Sequence, residues 1–463
     1  MFFLFFLSFL ININYVICKS PMGIQFTNWD GQMTCNPKSY MLPSTESQII
    51  ELIKSAYKHN ETIKVIGAGM SFSGIQLTTT STGATDTTTE YKKGHMLSLQ
   101  NYNKILNVDY IGSNANANTD IAYVTVEAGI ELRHLSELLD KEYHVALINM
   151  GATATQSVVG AFSTGTHGTG TTTGNIASTI VGLTIINSRG EVYSASETQN
   201  KELFDAARVG LGAVGIISTV TLSVIPQFKL ERRIVPYSLT YVLDNIDTML
   251  MQTDRLQWSF TPYTDDASVI FRTQVALSTP IYPSGPDGGC WSETQSTSEK
   301  CIDISYKAMT DSELHYQDRT LYTEMEMFIR REDTMSALAD YMVYMESIKE
   351  QHNPNVTVSI MLRYLIGDDI TMSPVGWGAN VPSSVISIIA IDSPEEFHLF
   401  SSGLESICQE KYNGRAHWGK VNTLDSKGVN HVYGEKVLEF NNIMSNMDPT
   451  GVFMNEYIET RFN

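Results

Sequence analysis

Two glycine-dense stretches constrain this chain more than any other feature. The first, "TIKVIGAGMSFSG" over residues 62–74, is an apolar run entering a Gly67-Ala68-Gly69 turn that Ser71 and Ser73 follow. The second, "GATATQSVVGAFSTGTHGTGTTTGNIASTIVG" over 151–182, sets glycines among serines and threonines more densely than a simple connection requires. Glycine permits close backbone approach, and N–H groups exposed in such turns form concavities that suit a pyrophosphate. The first loop is not the Gly-x-Gly-x-x-Gly dinucleotide fingerprint, because Phe72 stands where the third glycine belongs. Taken alone, it reads equally well as a strand followed by a turn.

The segments around these loops alternate between strand and helix patterns. Residues 45–59 carry apolar side chains at helical spacing behind a Thr-x-x-Gln capping pattern. Beyond a polar low-complexity stretch over 78–90, which reads as a surface loop, "HMLSLQ", "KILNVD" and "AYVTVEAG" predict short strands, "ELRHLSELLDKEY" a helix and "ALINMG" a strand. "LTIINSRGEVYSAS" predicts two strands about the turn Ser188-Arg189-Gly190, and "DAARVGLGAVGIISTVTLSVIP" a glycine-broken helix feeding a strand that ends at Pro226. From 227 onward glycine thins and aromatics and methionine increase. Strands such as "RRIVPYSL" and "SVISIIAID" alternate there with helices such as "TMSALADYMVYMESIKE", the pattern of an α+β part with an antiparallel sheet. At 463 residues the chain exceeds one hydrophobic core, so two domains are expected.

The 31 basic and 50 acidic residues give a formal charge of -19, which argues against nucleic acid or an anionic membrane as partner. The opening "MFFLFFLSFLININYVICKS" predicts a signal peptide over 1–20, cleaved near Cys18 to Ser20. Asn12 and Asn14 interrupt the apolar run short of the roughly 20 residues that an anchor, the alternative, would need. That route leads to the ER lumen or the cell exterior and makes Asn60-Glu61-Thr62 and Asn355-Val356-Thr357 glycosylation acceptors. In an oxidising compartment Cys290 and Cys301, flanking a polar loop, are the best-placed pair; four free thiols, with Cys35 and Cys408, are the alternative. No Cys-x-x-Cys or close His/Cys grouping suggests a metal.

Read together with "VTVEAGIELRHLSELLDK", "GLGAVGIISTVTL", "LRYLIGDDI", "GRAHWGK" and "MDPTGVFMNEYIE", the two loops resemble those of the aldonolactone oxidases, L-gulonolactone and D-arabinono-1,4-lactone oxidase among them. These belong to the FAD-binding superfamily typified by vanillyl-alcohol oxidase. The resemblance runs from about residue 25 to the C-terminus. It implies an α+β, two-domain fold. A PCMH-type FAD-binding domain would occupy 21–226 and an antiparallel-sheet cap or substrate domain 227–463, with the C-terminal segment returning to the flavin. Gly67, Ala68, Gly69, Met70, Ser71, Phe72 and Ser73 would surround the pyrophosphate. Ala152, Ser157, Gly160, Thr164, Gly165, Thr166 and His167 would line the flavin, with Ile216 behind the adenine.

The resemblance also implies Arg363, Lys420 and His417 as the catalytic set. Fixed positive groups stabilise the charge that develops on a flavin accepting hydride, and His417 would bond the substrate or orient Lys420. The implied reaction is oxidation of the C2 hydroxyl of L-gulono- or L-galactono-1,4-lactone, with hydride passing to flavin N5. In an oxidase O2 then takes the electrons to give H2O2, in an ascorbate-type pathway. An alditol or other carbohydrate oxidase on the same scaffold, and a flavin-binding protein without catalysis, are the alternatives.

Two positions depart from the family pattern. Met361 stands two residues before Arg363, where the family usually has a glutamate that a thioether replaces poorly, and Glu326 is the candidate substitute acid. Met70 stands where many members carry a histidine bonded covalently to the flavin. A thioether cannot form that link, so acid precipitation of the purified protein is expected to leave FAD in the supernatant; flavin retained in the pellet would refute this.

Overall fold

The computed structural model describes residues 16–20, 23–78, 94–111, 121–284, 288–291, 300–310, 321–352, 354, 358–391 and 393–463. The Asn355 sequon and all of the polar insertion but Thr78 lie outside this set. At the N-terminus β1 (Val16–Ser20), β2 (Gly23–Thr27) and β3 (Thr34–Cys35) form a small antiparallel sheet. β1 includes the stretch where leader cleavage is expected.

A parallel three-stranded sheet carries the first glycine loop. β4 (Tyr40–Met41), β5 (Thr62–Ile66) and β6 (Gly94–Ser98) lie in the order β4-β6-β5. The helix Glu46–His59 feeds β5. It starts where Thr45 accepts a hydrogen bond from the Gln48 N–H while the Gln48 side chain accepts from the Ser44 N–H, so the capping pattern closes one residue further out than a simple box. It stops at Asn60, in the left-handed conformation at φ 55°. Ile49, Ile53 and Ala56 form its buried stripe.

A larger antiparallel sheet supports the second loop: β7 (Ile105–Ile111), β8 (Ile121–Glu127), β10 (Ile180–Ile186), β11 (Val192–Ser196) and β12 (Ile216–Pro226), in the order β11-β10-β12-β8-β7. Asn187 shapes the β10–β11 turn, its side-chain oxygen accepting from the Arg189 and Glu191 N–H groups, and Gly190 supplies φ +77°. The helix expected over 131–143 is α-helical over Leu132–Leu138 and widens to a π-turn over Leu139–Tyr143. The strand expected over 146–151 shrinks to β9 (Val145–Ala146), because only Ile225 and Pro226 at the end of β12 pair with it. Asn149, Met150 and Gly151, further along, line the cleft described below.

The third sheet has eight strands: β13 (Lys229–Ser238), β14 (Arg255–Phe260), β15 (Asp266–Val275), β16 (Lys300–Ile304), β17 (Tyr322–Arg330), β18 (Val358–Ile366), β19 (Pro382–Ile391) and β20 (Arg415–Ala416). Their order is β16-β13-β15-β14-β18-β19-β17-β20, and every pairing is antiparallel. A disulfide joins Cys290 to Cys301 beside β16, whereas Cys35 and Cys408 are buried free thiols. No helix among the described residues is long and apolar enough to cross a membrane.

The C-terminal segment returns to the first sheet. The Ile63 N–H donates to Val452 O at 2.7 Å, and Asn455 Nδ2 donates to the carbonyls of Gly74, Ile75 and Leu77. Lys64, buried in β5, donates to Phe453 O at 3.0 Å, and burial pulls its ammonium down to about 8 against the opposing pull of Asp448.

Close backbone packing fixes where β8 ends. A Cβ on Gly129 would lie 1.7 Å from Leu99 O and 2.6 Å from Tyr102 O, both backbone atoms. Gly129→Ala is therefore expected to destabilise the fold by about 3 kcal/mol, at the upper end of ordinary overpacking, as measured by chemical denaturation.

Candidate flavin cleft and substrate pocket

A cleft of about 1050 Å³ runs between the two glycine loops and the inner face of the eight-stranded sheet. The loops touch: a Cβ on Gly67 would come within 2.2 Å of Ser157 Oγ. Ser157 caps the helix Val158–Ser163, accepting from the Gly160 N–H at 3.2 Å. Met70 points at the second loop, where its sulfur accepts from Thr155 Oγ1 at 3.1 Å. Gly69, at φ +68°, makes the turn that a side chain would strain.

Most of the expected cofactor residues line this cleft. Gly67, Ala68, Gly69, Met70, Ser71 and Phe72 come from the first loop; Ala152, Ser157, Gly160, Thr164, Thr166 and His167 come from the second, and Ile216 from the start of β12. Ser73 and Gly165 do not. The Ser73 hydroxyl turns away to donate to Trp418 O at 2.8 Å, and Gly165, at φ +81°, faces Pro374, whose Cδ a Cβ would meet at 2.9 Å. The volume and the glycine-lined cradle fit a dinucleotide.

Strand alternation sets the other wall. Every second residue of the eight-stranded sheet faces the cleft: Arg363 and Met361 from β18, and Glu326, Glu324 and Tyr322 from β17. His417 and Lys420 arrive on a loop zipped along β17. The His417 N–H donates to Glu326 O at 3.0 Å and the Val421 N–H to Glu324 O at 3.1 Å. The same loop meets the first glycine turn, since the Phe72 N–H donates to Gly419 O at 2.8 Å. Arg363, His417 and Lys420, far apart in sequence, therefore share one end of the cleft.

Two buried carboxylates meet them. Glu324 bonds Lys420, whose ammonium lies 4.9 Å from the centre of the Phe72 ring. Glu326 has Ser387 Oγ at 3.1 Å and Arg363 Nη1 at 3.7 Å on one oxygen, and His167 Nε2 at 3.3 Å and His417 Nε2 at 3.8 Å on the other. Burial raises Glu324 above the usual carboxylate range, with Lys420 pulling the other way. Burial pushes Glu326 up too, but the charges of His167 and Lys420 outweigh it and hold this carboxyl well below that range. Burial lowers His417 to about 3, so its ring is neutral at ordinary pH.

Glu324 escaped the sequence reading, and so did three buried arginines. Arg232, Arg272 and Arg255 form one cross-strand row over β13, β15 and β14 on the same sheet face, two residues along β14 from Gln257, which pairs with Arg363. Arg255 pairs with Asp254 and donates to Ile148 O, and Arg272 donates to Ala308 O and to Gln257. Gln257 in turn donates to the Met361 sulfur at 3.5 Å. Charged residues at alternate positions of otherwise apolar strands were the available signal, but sequence alone does not say which face is covered.

Comparison with known proteins agrees with this geometry. The family described as "FAD binding domain" matches residues 37–196, and "D-arabinono-1,4-lactone oxidase" matches 289–461. L-gulonolactone oxidase of Bos taurus is 29% identical over 95% of this chain and 98% of its own length. L-gulono-1,4-lactone dehydrogenase of Mycobacterium tuberculosis is 28% identical over 93% and 97%. Among solved structures, a cholesterol oxidase from B. sterolicum superposes with a TM-score of 0.78 at 13% identity, covering 97% of this chain and 98% of that one, a likeness of fold. Fold and cleft thus define an FAD-dependent oxidoreductase of the type that acts on CH–OH donors. Within that class its likeness is to the aldonolactone oxidases, whose family model matches its C-terminal part and whose named members align along nearly its whole length.

The neutral, buried His417 makes a pH prediction. Its folded value of about 3 lies below the ordinary 6.5, so below pH 6.5 the unfolded chain takes up a proton that the folded one refuses. Stability from this group is present above pH 6.5 and lost as the pH falls toward 3, with a slope of up to about 1.4 kcal/mol per pH unit. Urea unfolding between pH 7.5 and 5 is expected to show a shallower loss in His417→Gln than in the unaltered protein.

Proposed function

We propose that this protein oxidises the C2 hydroxyl of an aldono-1,4-lactone, L-gulono- or L-galactono-1,4-lactone, using FAD held without a covalent bond. The observation that carries this reading is the convergence of Arg363, His417 and Lys420 at one end of the cleft, opposite two glycine loops shaped for a dinucleotide. FAD bound there supplies the hydride acceptor and passes the electrons on to O2 or another oxidant. Residues 21–226 then act as the cofactor domain and 227–463 as the substrate domain. The apolar run that opens the sequence supports the reading that it acts in the secretory pathway.

The residues themselves do three things. The loop backbones of 67–72 and 152–157 hold the cofactor. Arg363 and Lys420, both lining the cleft, place positive charge where negative charge develops. The His417 Nδ1 accepts from the Gly419 N–H at 3.0 Å, so the neutral ring carries its hydrogen on Nε2 and presents a donor to a substrate oxygen. Its basic nitrogen is thus occupied, so His417 orients the hydroxyl, and the proton released as the hydride leaves passes to the Glu324 carboxylate, which lines the same cleft, or to water.

Anaerobic addition of L-gulono-1,4-lactone is expected to bleach the flavin spectrum, and faster than an alditol does; bleaching by alditols alone would move the assignment to a polyol oxidase. Arg363→Met and Lys420→Met are each expected to retain FAD and slow flavin reduction by about 10²–10³-fold in stopped-flow measurements, the usual effect of deleting one such electrostatic group.

A further inference from the structure

The buried carboxylate of Glu326 lies among Arg363, His167, His417 and Ser387 at the substrate end. It comes from β17, is 2% exposed, and faces Ser387 of β19. Met361 of β18 faces the same Ser387 from the other side, so 326 and 361 occupy one cross-strand row.

The three ligand-type atoms of His167, Glu326 and His417 lie within 4.8 Å of one another, a spacing a metal ion could span. Hydrogen positions argue against that use. Because His417 Nδ1 accepts from a backbone N–H, its Nε2 carries the hydrogen; metal binding would force that hydrogen onto Nδ1, against the Gly419 N–H. His167 Nδ1 sits 2.8 Å from Gly168 O, a pure acceptor, so Nδ1 is protonated there. Its Nε2 lies 3.3 Å from Glu326 Oε2, close enough to share a hydrogen with the carboxylate. An anion is thus what both rings address.

We propose that Glu326 is a positioning residue: one buried carboxylate that aims Arg363 with one oxygen and His167 and His417 with the other, so that the substrate oxygen meets only donors. This rests on the alcohol oxidation proposed above. At 3.8 Å the His417 Nε2–H is too far from Glu326 for a full hydrogen bond, and at 3.7 Å so is Arg363 Nη1. Both are drawn toward the carboxylate without being consumed by it. A substrate oxygen seated beside them completes their bonding, and the alkoxide character it gains as its hydrogen leaves strengthens both interactions. Ser387 and His167 hold the carboxylate itself, the arrangement needed for a group that must not move toward the substrate.

The test uses the FAD-loaded protein and three variants. Glu326→Gln keeps the shape and can still accept from Ser387. It is expected to retain FAD and thermal midpoint and to lower the limiting rate of anaerobic flavin reduction by about 10²-fold, the scale of a misplacement near 1 Å. Glu326→Asp is expected to recover part of the rate. The double variant Glu326→Gln/Met361→Glu returns a carboxylate to the same row across Ser387 and is expected to recover at least about tenfold of the loss. A Glu326→Gln rate within about threefold of the unaltered protein overturns the proposal, and so does a loss that neither Glu326→Asp nor the carboxylate placed at position 361 corrects. If Glu326→Gln fails to fold, the double variant alone decides by the same criterion. The ring nitrogens read the arrangement without turnover: in ¹⁵N NMR of histidine-labelled protein, Glu326→Gln is expected to shift the His167 Nε2 signal while His417 stays neutral and protonated on Nε2. An unmoved His167 signal overturns the proposal. Absence of flavin reduction by every lactone and alditol in the unaltered protein, with the His167 shift still present, would instead reject the proposed reaction and leave the positioning role standing.

Discussion

The whole site depends on the backbone pairing of one loop with two distant partners. Residues 417–421 bind along β17 through Glu326 O and Glu324 O, and bind the first glycine turn through the Phe72 N–H. Without the first pairing, His417 and Lys420 would not meet the two glutamates; the second ties the sheet to the first glycine loop, as bonds from the Gly170 N–H to Tyr364 O and from the Ile366 N–H to Thr173 O tie β18 to the second. Ser73, expected to face the cofactor, reinforces this junction by bonding Trp418 O, and Tyr457 Oη adds a second bond to the same carbonyl at 2.9 Å. The C-terminal return, through Val452, Phe453 and Asn455, braces the strand from which that turn emerges.

Burying charge is the cost of this design, and the structure meets it by pairing. Glu324 with Lys420, and Glu326 with His167, Arg363 and His417, leave no carboxylate at the substrate end without a donor. The result is directional. The carboxylate lone pairs are occupied inside the wall, and His417, with its hydrogen on Nε2, and Arg363 line the cavity. Such a pocket favours an oxygen that becomes more negative during reaction over one that stays neutral.

Much of this was legible in the sequence because it rests on local rules. The capped helix before β5, the two glycine loops, the hairpin about Gly190 and the Cys290–Cys301 bridge each follow from short-range patterns, and the motif order carried the family. Glu326 was named as a candidate because of the methionine at 361, and it does face Arg363. Ser73 and Gly165 were misplaced because adjacent loop residues point in opposite directions, and no periodicity tells which of them faces a ligand.

What the sequence determined by itself was the kind of cradle: glycine at 69 supplies a positive φ, and glycine at 67 and 160 lets the two loops close on Ser157, whose Oγ an added Cβ would meet at 2.2 and 2.7 Å. Met70 likewise fixed, through its chemistry alone, that this side chain cannot carry the aminoalkyl bond to a flavin. The tertiary structure alone decided the charge state and direction of the substrate wall. Whether Glu324, Glu326 and His417 ionise depends on burial and on partners distant in sequence, as His167 is from Glu326, 159 residues away, and those neighbours exist only once eight strands have paired in register.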